Sequence, residues 1–185
     1  TELTGLTIGI GKRLKFPDDY FTIRNSVNFQ QYKLTNSQSF FSFTDGVSNN
    51  INFNIAIGRD AVDQPIYPRR GSKFEISLSM TPPYSLFDGI NDYSEISDQK
   101  KYKFMEFYKW QYKSVWYSAF NEKLVLATRL ETGLLGAYNH KLGSAPFERF
   151  YLGGDGLSGM GYQFDGRELI SLRGYSNNSV SPQTG

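Results

Sequence analysis

The chain has 185 residues, a formal net charge of +2 and 39% hydrophobic residues, and with a mean hydropathy of −0.46 it would ordinarily describe a soluble globular protein. Zero cysteine excludes disulfides and thiolate metal sites, no basic run suits a nucleic-acid tract, and no stretch approaches the roughly 18 apolar residues of a transmembrane helix. A transmembrane barrel is not excluded, because half of each strand faces a lumen and the averaged hydropathy stays polar; 18 Gly, 15 Phe and 13 Tyr suit such a protein.

The sequence opens in strand-like Thr1-Glu2-Leu3-Thr4-Gly5 without the regions of a signal peptide, and it stops in loop-like Ser181-Pro182-Gln183-Thr184-Gly185. Both ends read as those of a piece of something larger. Between them the period is two. From Gly5 to Leu14, Leu6, Ile8, Ile10 and Leu14 alternate with Gly5, Thr7, Gly9, Gly11 and Arg13, and only Lys12 interrupts the apolar side. After the turn signal Phe16-Pro17-Asp18-Asp19, Phe21, Ile23, Val27 and Phe29 alternate with Thr22, Arg24, Ser26 and Asn28. Ile51, Phe53, Ile55 and Ile57 then face away from Asn50, Asn52, Asn54 and Gly58, and Phe74, Ile76, Leu78 and Met80 away from Lys73, Glu75, Ser77 and Ser79. Lys123 to Tyr138 closes the set, with Leu124, Leu126, Leu130 and Leu134 opposed to Lys123, Arg129 and Glu131. About six strands of this kind carry charge on one side only.

A soluble sandwich also alternates, so the connections must discriminate. Phe16 to Asp19, Ala61 to Arg70 and Phe120 to Glu122 are short or Pro-rich, whereas Leu34 to Gly46, Thr81 to Gln99 and the chain from Tyr138 onward are long and polar or glycine-rich. Alternating short and long connections predict hairpins with a periplasmic and an extracellular end. Phe104, Tyr108, Trp110, Tyr112, Trp116, Tyr117 and Phe120 then supply an interfacial aromatic girdle. Glu106 misfits, sharing the parity of Phe104 and Tyr108; a bulge or a place beyond the bilayer would each remove the conflict.

Other candidates read as ordinary loops. Gly153 to Gly159 lacks the Gly-Lys-Ser/Thr of a phosphate loop, and Asp88, Asp92, Glu95 and Asp98 lack the ligand spacing of a calcium loop. His140 stands alone, too little for a metal site or a catalytic triad. Asp60 and Asp63 sit in a turn beside Arg59 and Arg70, where they are expected to stabilise the turn. Neither catalysis, a metal nor a cofactor is predicted.

Gly58-Arg59-Asp60 followed by Asp63, Pro65, Tyr67-Pro68, Gly71 and an alternating strand resembles the recurring turn-and-strand segment of the Omp85 superfamily. The run Phe147-Glu148-Arg149-Phe150-Tyr151-Leu152-Gly153-Gly154 ahead of Leu172-Arg173-Gly174-Tyr175 resembles that family's approach to its Arg-Gly-aromatic loop motif. Within the superfamily the chain is most similar to the barrels of outer-membrane assembly factors, and Lys12 to Phe21 adds to the match. The resemblance implies an all-β transmembrane antiparallel barrel, 16-stranded in the family, with periplasmic POTRA domains ahead of it. Residues 1–138 would be middle strands and residues 139–185 the long extracellular loop.

It further implies insertion of β-barrel proteins into the bacterial (Gram-negative) outer membrane. The implied partners are nascent outer-membrane proteins, accessory lipoproteins, periplasmic chaperones and outer-membrane lipids. An Omp85-type secretion or translocation pore, or a passive porin, are the alternative functions. By the same resemblance Leu172, Arg173, Gly174 and Tyr175 anchor the loop, the arginine reaching an acidic and aromatic patch on a later strand. Arg59, Asp60, Asp63, Pro68, Gly71, Phe150, Gly153 and Gly154 are the matching turn and approach positions. Tyr175 stands where the family more often has Phe, and the interval from Gly154 to Leu172 is longer than usual.

Overall fold

Strict alternation dictates strands that bury or expose one whole side, and the chain forms them as an antiparallel meander. The computed structural model describes residues 2–36, 43–90, 92–154, 168–176 and 179–180. Six strands, β1 (Glu2–Arg13), β2 (Phe21–Leu34), β3 (Gly46–Val62), β4 (Gly71–Met80), β5 (Tyr108–Ala119) and β6 (Val125–Gly136), make one sheet in chain order. Among the described residues each pairs only with its sequence neighbours, so β1 and β6 are the edges.

Directly opposed residues share a face, and the register lines up apolar rows across the sheet. Ile8, Val27, Phe53, Met80 and Tyr108 form one row, and Ile55, Leu78, Trp110 and Leu134 the next. Among the described residues no second sheet covers this face; Ile10, for example, is 74% exposed. Ile51 to Ile57 spans six steps of about 3.3 Å, roughly 20 Å along the strand. That height approaches the apolar band of about 25 Å that outer-membrane barrels present to lipid. No helix among the described residues is long and apolar enough to cross a membrane.

The opposite face is hydrophilic and internally paired. Asn28 donates to Asn52 at 2.7 Å and Asn54 to Ser79 at 2.7 Å, while Arg24 pairs with Glu75 and Lys73 with Asp60. Charge is not confined to this side: register places Arg59 in the apolar row with Phe21 and Phe74, and Lys12 opposite Ile23. Both lie at the end of the belt next to the short turns, where Arg59 reaches Asp18 at 2.8 Å. Tyr117, expected in the girdle, instead shares the hydrophilic face, opposed to Gly71 and Ala127.

Connections of unequal length segregate as expected, the short ones (14–20, 63–70, 120–124) at one end and the long ones at the other. Glu106 precedes β5 rather than interrupting it. Its buried carboxylate accepts hydrogen bonds from the Ser85 amide at 2.7 Å and the Ser85 hydroxyl at 2.9 Å, so no bulge is needed. A buried core of Tyr32, Leu34, Met105, Phe107, Ala145 and Phe147 lies on the hydrophilic face, near the long connections.

Gly71 begins β4 at φ 108°, and a Cβ there would fall 2.1 Å from the Ala61 carbonyl oxygen. Gly71→Ala must therefore open the hairpin turn; a loss of about 1–3 kcal/mol is expected, read as a lower denaturant midpoint.

Candidate functional site: a loop seated on the hydrophilic face

Beyond β6 the chain doubles back over the sheet. The Tyr138 ring stands 5.5 Å from that of Tyr108, and the Leu142 carbonyl accepts the Tyr102 hydroxyl at 3.2 Å. The segment that follows then engages one strand after another. The Phe147 ring is buried against Tyr32 of β2, centroids 4.6 Å apart. Glu148 accepts from Asn50 of β3 at 3.0 Å and pairs with Lys109 of β5 at 3.4 Å. The Phe150 ring fills the place a side chain on β6 would need: a Cβ at Gly133 would lie 2.5 Å from it. The Lys109 ammonium sits 4.6 Å from the centre of the same ring.

The Glu148 and Lys109 side chains are only 14% and 8% exposed. A charge pair so enclosed gains its attraction against a large desolvation cost, and it is held favourably only while both partners stay in place. The hydrogen bond from Asn50 and the cation lying on the Phe150 ring add to that hold.

Phe150 also starts β7 (Phe150–Leu152), which pairs in parallel with β8 (Glu168–Ile170). The pairing continues into the two motifs: the Gly153 amide donates to the Ile170 carbonyl at 3.0 Å, and the Leu172 amide to the Gly154 carbonyl at 3.0 Å. The Gly154 amide donates back to the Tyr175 carbonyl at 2.9 Å. Leu172 to Tyr175 is thus a turn closed by the Tyr175 amide on the Leu172 carbonyl at 3.2 Å. Its third residue, Gly174, has φ 92°, which the type II geometry demands and a side chain resists. Gly153 and Gly154, both buried and at φ 122° and 86°, form the seat.

Arg173 occupies the second position of this turn, exposed and without a carboxylate partner among the described residues. Tyr175 is likewise exposed. Between the turn and strands β5 and β6 lies a cavity of about 590 Å³, with Gln111, Lys113, Arg129, Glu131, Phe150 and Leu172 in its wall. The chain between Gly154 and Glu168, left open by the sequence, falls outside the described residues.

The remaining expected positions are not brought to the loop. Arg59, Asp60, Asp63, Pro68 and Gly71 all lie at the short-turn end. Asp60 pairs with Lys73 at 2.7 Å, and Asp63 accepts the Arg69 amide at 3.0 Å. Amides of Arg69 and Arg70 hold the Asp63 carboxyl below its ordinary range, so the two carboxylates serve the turn and make no catalytic pair. Pro68 follows Tyr67, whose φ is 56°. Asp88 and Asp92 are taken up locally, by the Tyr93 hydroxyl at 2.5 Å and the Ser94 amide at 3.0 Å, and His140 is exposed.

Sequence reading missed Lys109, Asn50 and Gly133 as the loop's receptors. Their parity marked the hydrophilic face, but a contact between residues 98 positions apart, as for Asn50 and Glu148, leaves no local signal.

A family model matches the whole of residues 1–185, that of the Omp85 superfamily domain. Among curated proteins none matches the chain.

Glu148→Ala would strand the Lys109 ammonium in its enclosed site, a loss of about 3–5 kcal/mol. Faster proteolytic cleavage within residues 139–154, at unchanged strand content, is the expected result; Glu148→Gln, which keeps the shape and the bond from Asn50, is expected to lose less.

Proposed function

We propose, because the chain belongs to the Omp85 superfamily, a family of outer-membrane β-barrels acting in polypeptide insertion or translocation, that it works as part of an outer-membrane assembly factor. The reaction is folding and insertion of other β-barrel proteins, as carried out by the assembly factor BamA. The observation that carries this reading is the docked loop: its Arg-Gly-aromatic turn is presented over the hydrophilic face of a sheet whose other face is an apolar belt left uncovered among the described residues.

In this reading the belt meets acyl chains and the hydrophilic face encloses a lumen, closed by further strands pairing at the edges of β1 and β6 to the 16 of the family barrel. The wall holds the loop, and the loop presents Arg173 inward to an acidic and aromatic patch on a later strand. A guanidinium offers paired planar donors to such acceptors. A nascent strand cannot cross hydrocarbon with unpaired backbone groups; a barrel that opens at a sheet edge satisfies them one hairpin at a time. Nascent outer-membrane proteins, delivered by periplasmic chaperones, are the proposed clients, and lipoproteins the accessory partners. A passive porin has no use for a hydrogen-bonded tetrapeptide turn, and the loop and buried core seated on the hydrophilic face near the long connections argue against an open solute channel. A translocation pore of the same superfamily shares the turn and would be told apart by its cargo.

Two substitutions test the proposal. Ile55→Arg, mid-belt, is expected to cost about 2–4 kcal/mol if the belt faces lipid and close to nothing if it faces water; unfolding from bilayers gives the value. Arg173→Ala in the full-length protein is expected to lower the yield of folded client barrels several-fold with the host barrel still folded. Unchanged client yield would refute the assembly role of the turn.

A further inference from the structure

The short-turn end of the sheet carries a surface that the loop site does not use. Each of its three turns holds a large apolar side chain out of the fold: Phe16 is 85% exposed, Tyr67 87% and Phe120 69%. These are not slack tips. Arg59 pairs with Asp18, the Asp60 amide donates to the Tyr20 carbonyl at 3.3 Å, and Arg69 donates to the Glu122 and Asn121 carbonyls at 2.5 and 2.8 Å. The Asn121 side chain in turn accepts the Lys123 and Leu124 amides at 2.8 and 2.9 Å. The first turn is thereby tied to the end of β3 and the second to the third, so the rings project from hydrogen-bonded turns along one rim.

The rim is also basic. Arg59 with Asp18 and Lys73 with Asp60 are paired charges, while Lys12, Arg13, Lys15, Arg69, Arg70 and Lys123 pair with no carboxylate among the described residues. That leaves six cations against Asp19, Asp63 and Glu122. Two basic residues tie the rim to the belt: Lys12 follows Ile10 on the apolar face, and the Arg59 guanidinium lies 5.5 and 5.8 Å from the Tyr20 and Phe21 ring centres. Apolar rows, then aromatic rings, then cations is the order of a lipid leaflet met from its interior.

We infer that this rim is a binding surface for anionic phospholipid headgroups of the leaflet on the short-turn side. Phe16, Tyr67 and Phe120 enter the boundary between acyl chains and headgroups, and Lys12, Lys15, Arg70 and Lys123 take the phosphates. The inference rests on the membrane reading above.

The test uses the full-length protein in nanodiscs of phosphatidylcholine alone and of phosphatidylcholine with phosphatidylglycerol, the retained lipids being counted by native mass spectrometry. The native protein is expected to retain phosphatidylglycerol preferentially. Lys12→Ala/Lys15→Ala/Arg70→Ala/Lys123→Ala is expected to reduce that preference at least tenfold, given about fivefold per cation removed at a charged bilayer surface. Lys100→Ala/Lys101→Ala/Lys103→Ala, in the long connection before β5, is expected to leave it unchanged. An undiminished preference in the rim variant overturns the inference, as it would if the rim served a protein partner, and so does an equal fall in both variants. Millimolar inorganic phosphate that strips the retained lipid would reassign the cations to free phosphate. Failure of the native protein to insert into either nanodisc sinks the membrane reading itself, whereas insertion without headgroup preference sinks only the rim.

Discussion

Strand register is the constraint from which the rest of the molecule follows. Side chains alternate with period two, so a slip of one residue between any two strands would carry a whole apolar row to the hydrophilic side. The observed pairing keeps Ile8, Val27, Phe53 and Met80 together on one face and Asn28, Asn52 and Lys73 on the other. Turn chemistry fixes that pairing. Gly71 permits an approach to the Ala61 carbonyl that no Cβ allows, and the Asp63 carboxylate and Asn121 amide cap the turns between β3 and β4 and between β5 and β6.

A hydrophilic face this well defined gives the long loop a receptor. The loop does not rest on apolar contact alone: Phe147 is buried on Tyr32, but Glu148 brings a charge to Lys109 and Phe150 takes the space left by Gly133. Combining a ring, an ion pair and a glycine notch fixes the position of the loop along the strands, which grease by itself would leave free to slide. What is positioned by that hold is the turn at Leu172 to Tyr175, hydrogen-bonded on both sides to Gly154. The glycine pair and the tetrapeptide depend on each other, since each supplies backbone partners of the other.

The two ends of the sheet divide the labour. At the long-connection end the chain folds inward, burying Met105, Glu106 and Phe107 beneath loops. At the short-turn end it holds rings and cations outward on a rim of hydrogen-bonded turns. Arg59 and Lys12, which break the rule of charge on one side only, fall where the belt gives way to that rim. A guanidinium between two aromatic rings and an aspartate is tolerable at an aqueous interface and would be expensive in mid-belt.

Alternation alone was enough to place β1 to β4 and β6 and to sort their side chains, because a strand's period is a local property of the chain. The aromatic segment was less legible: rings occur at both parities, so the start of β5 at Tyr108 and the inward face of Tyr117 depended on which residues β4 and β6 set opposite them. Glu106 could be placed beyond the strand only once Ser85 was seen to satisfy it. The motifs at Gly153-Gly154 and Leu172 to Tyr175 were visible as residues, and their union was not, since a hydrogen bond between segments so far apart is a fact of three-dimensional closure. Thus the sequence by itself determined the faces, the turns and the family, all written in spacing a few residues long. Only the tertiary structure decided that Lys109, Asn50 and Gly133 receive the loop, because burial and ion pairing depend on neighbours that the linear chain does not reveal.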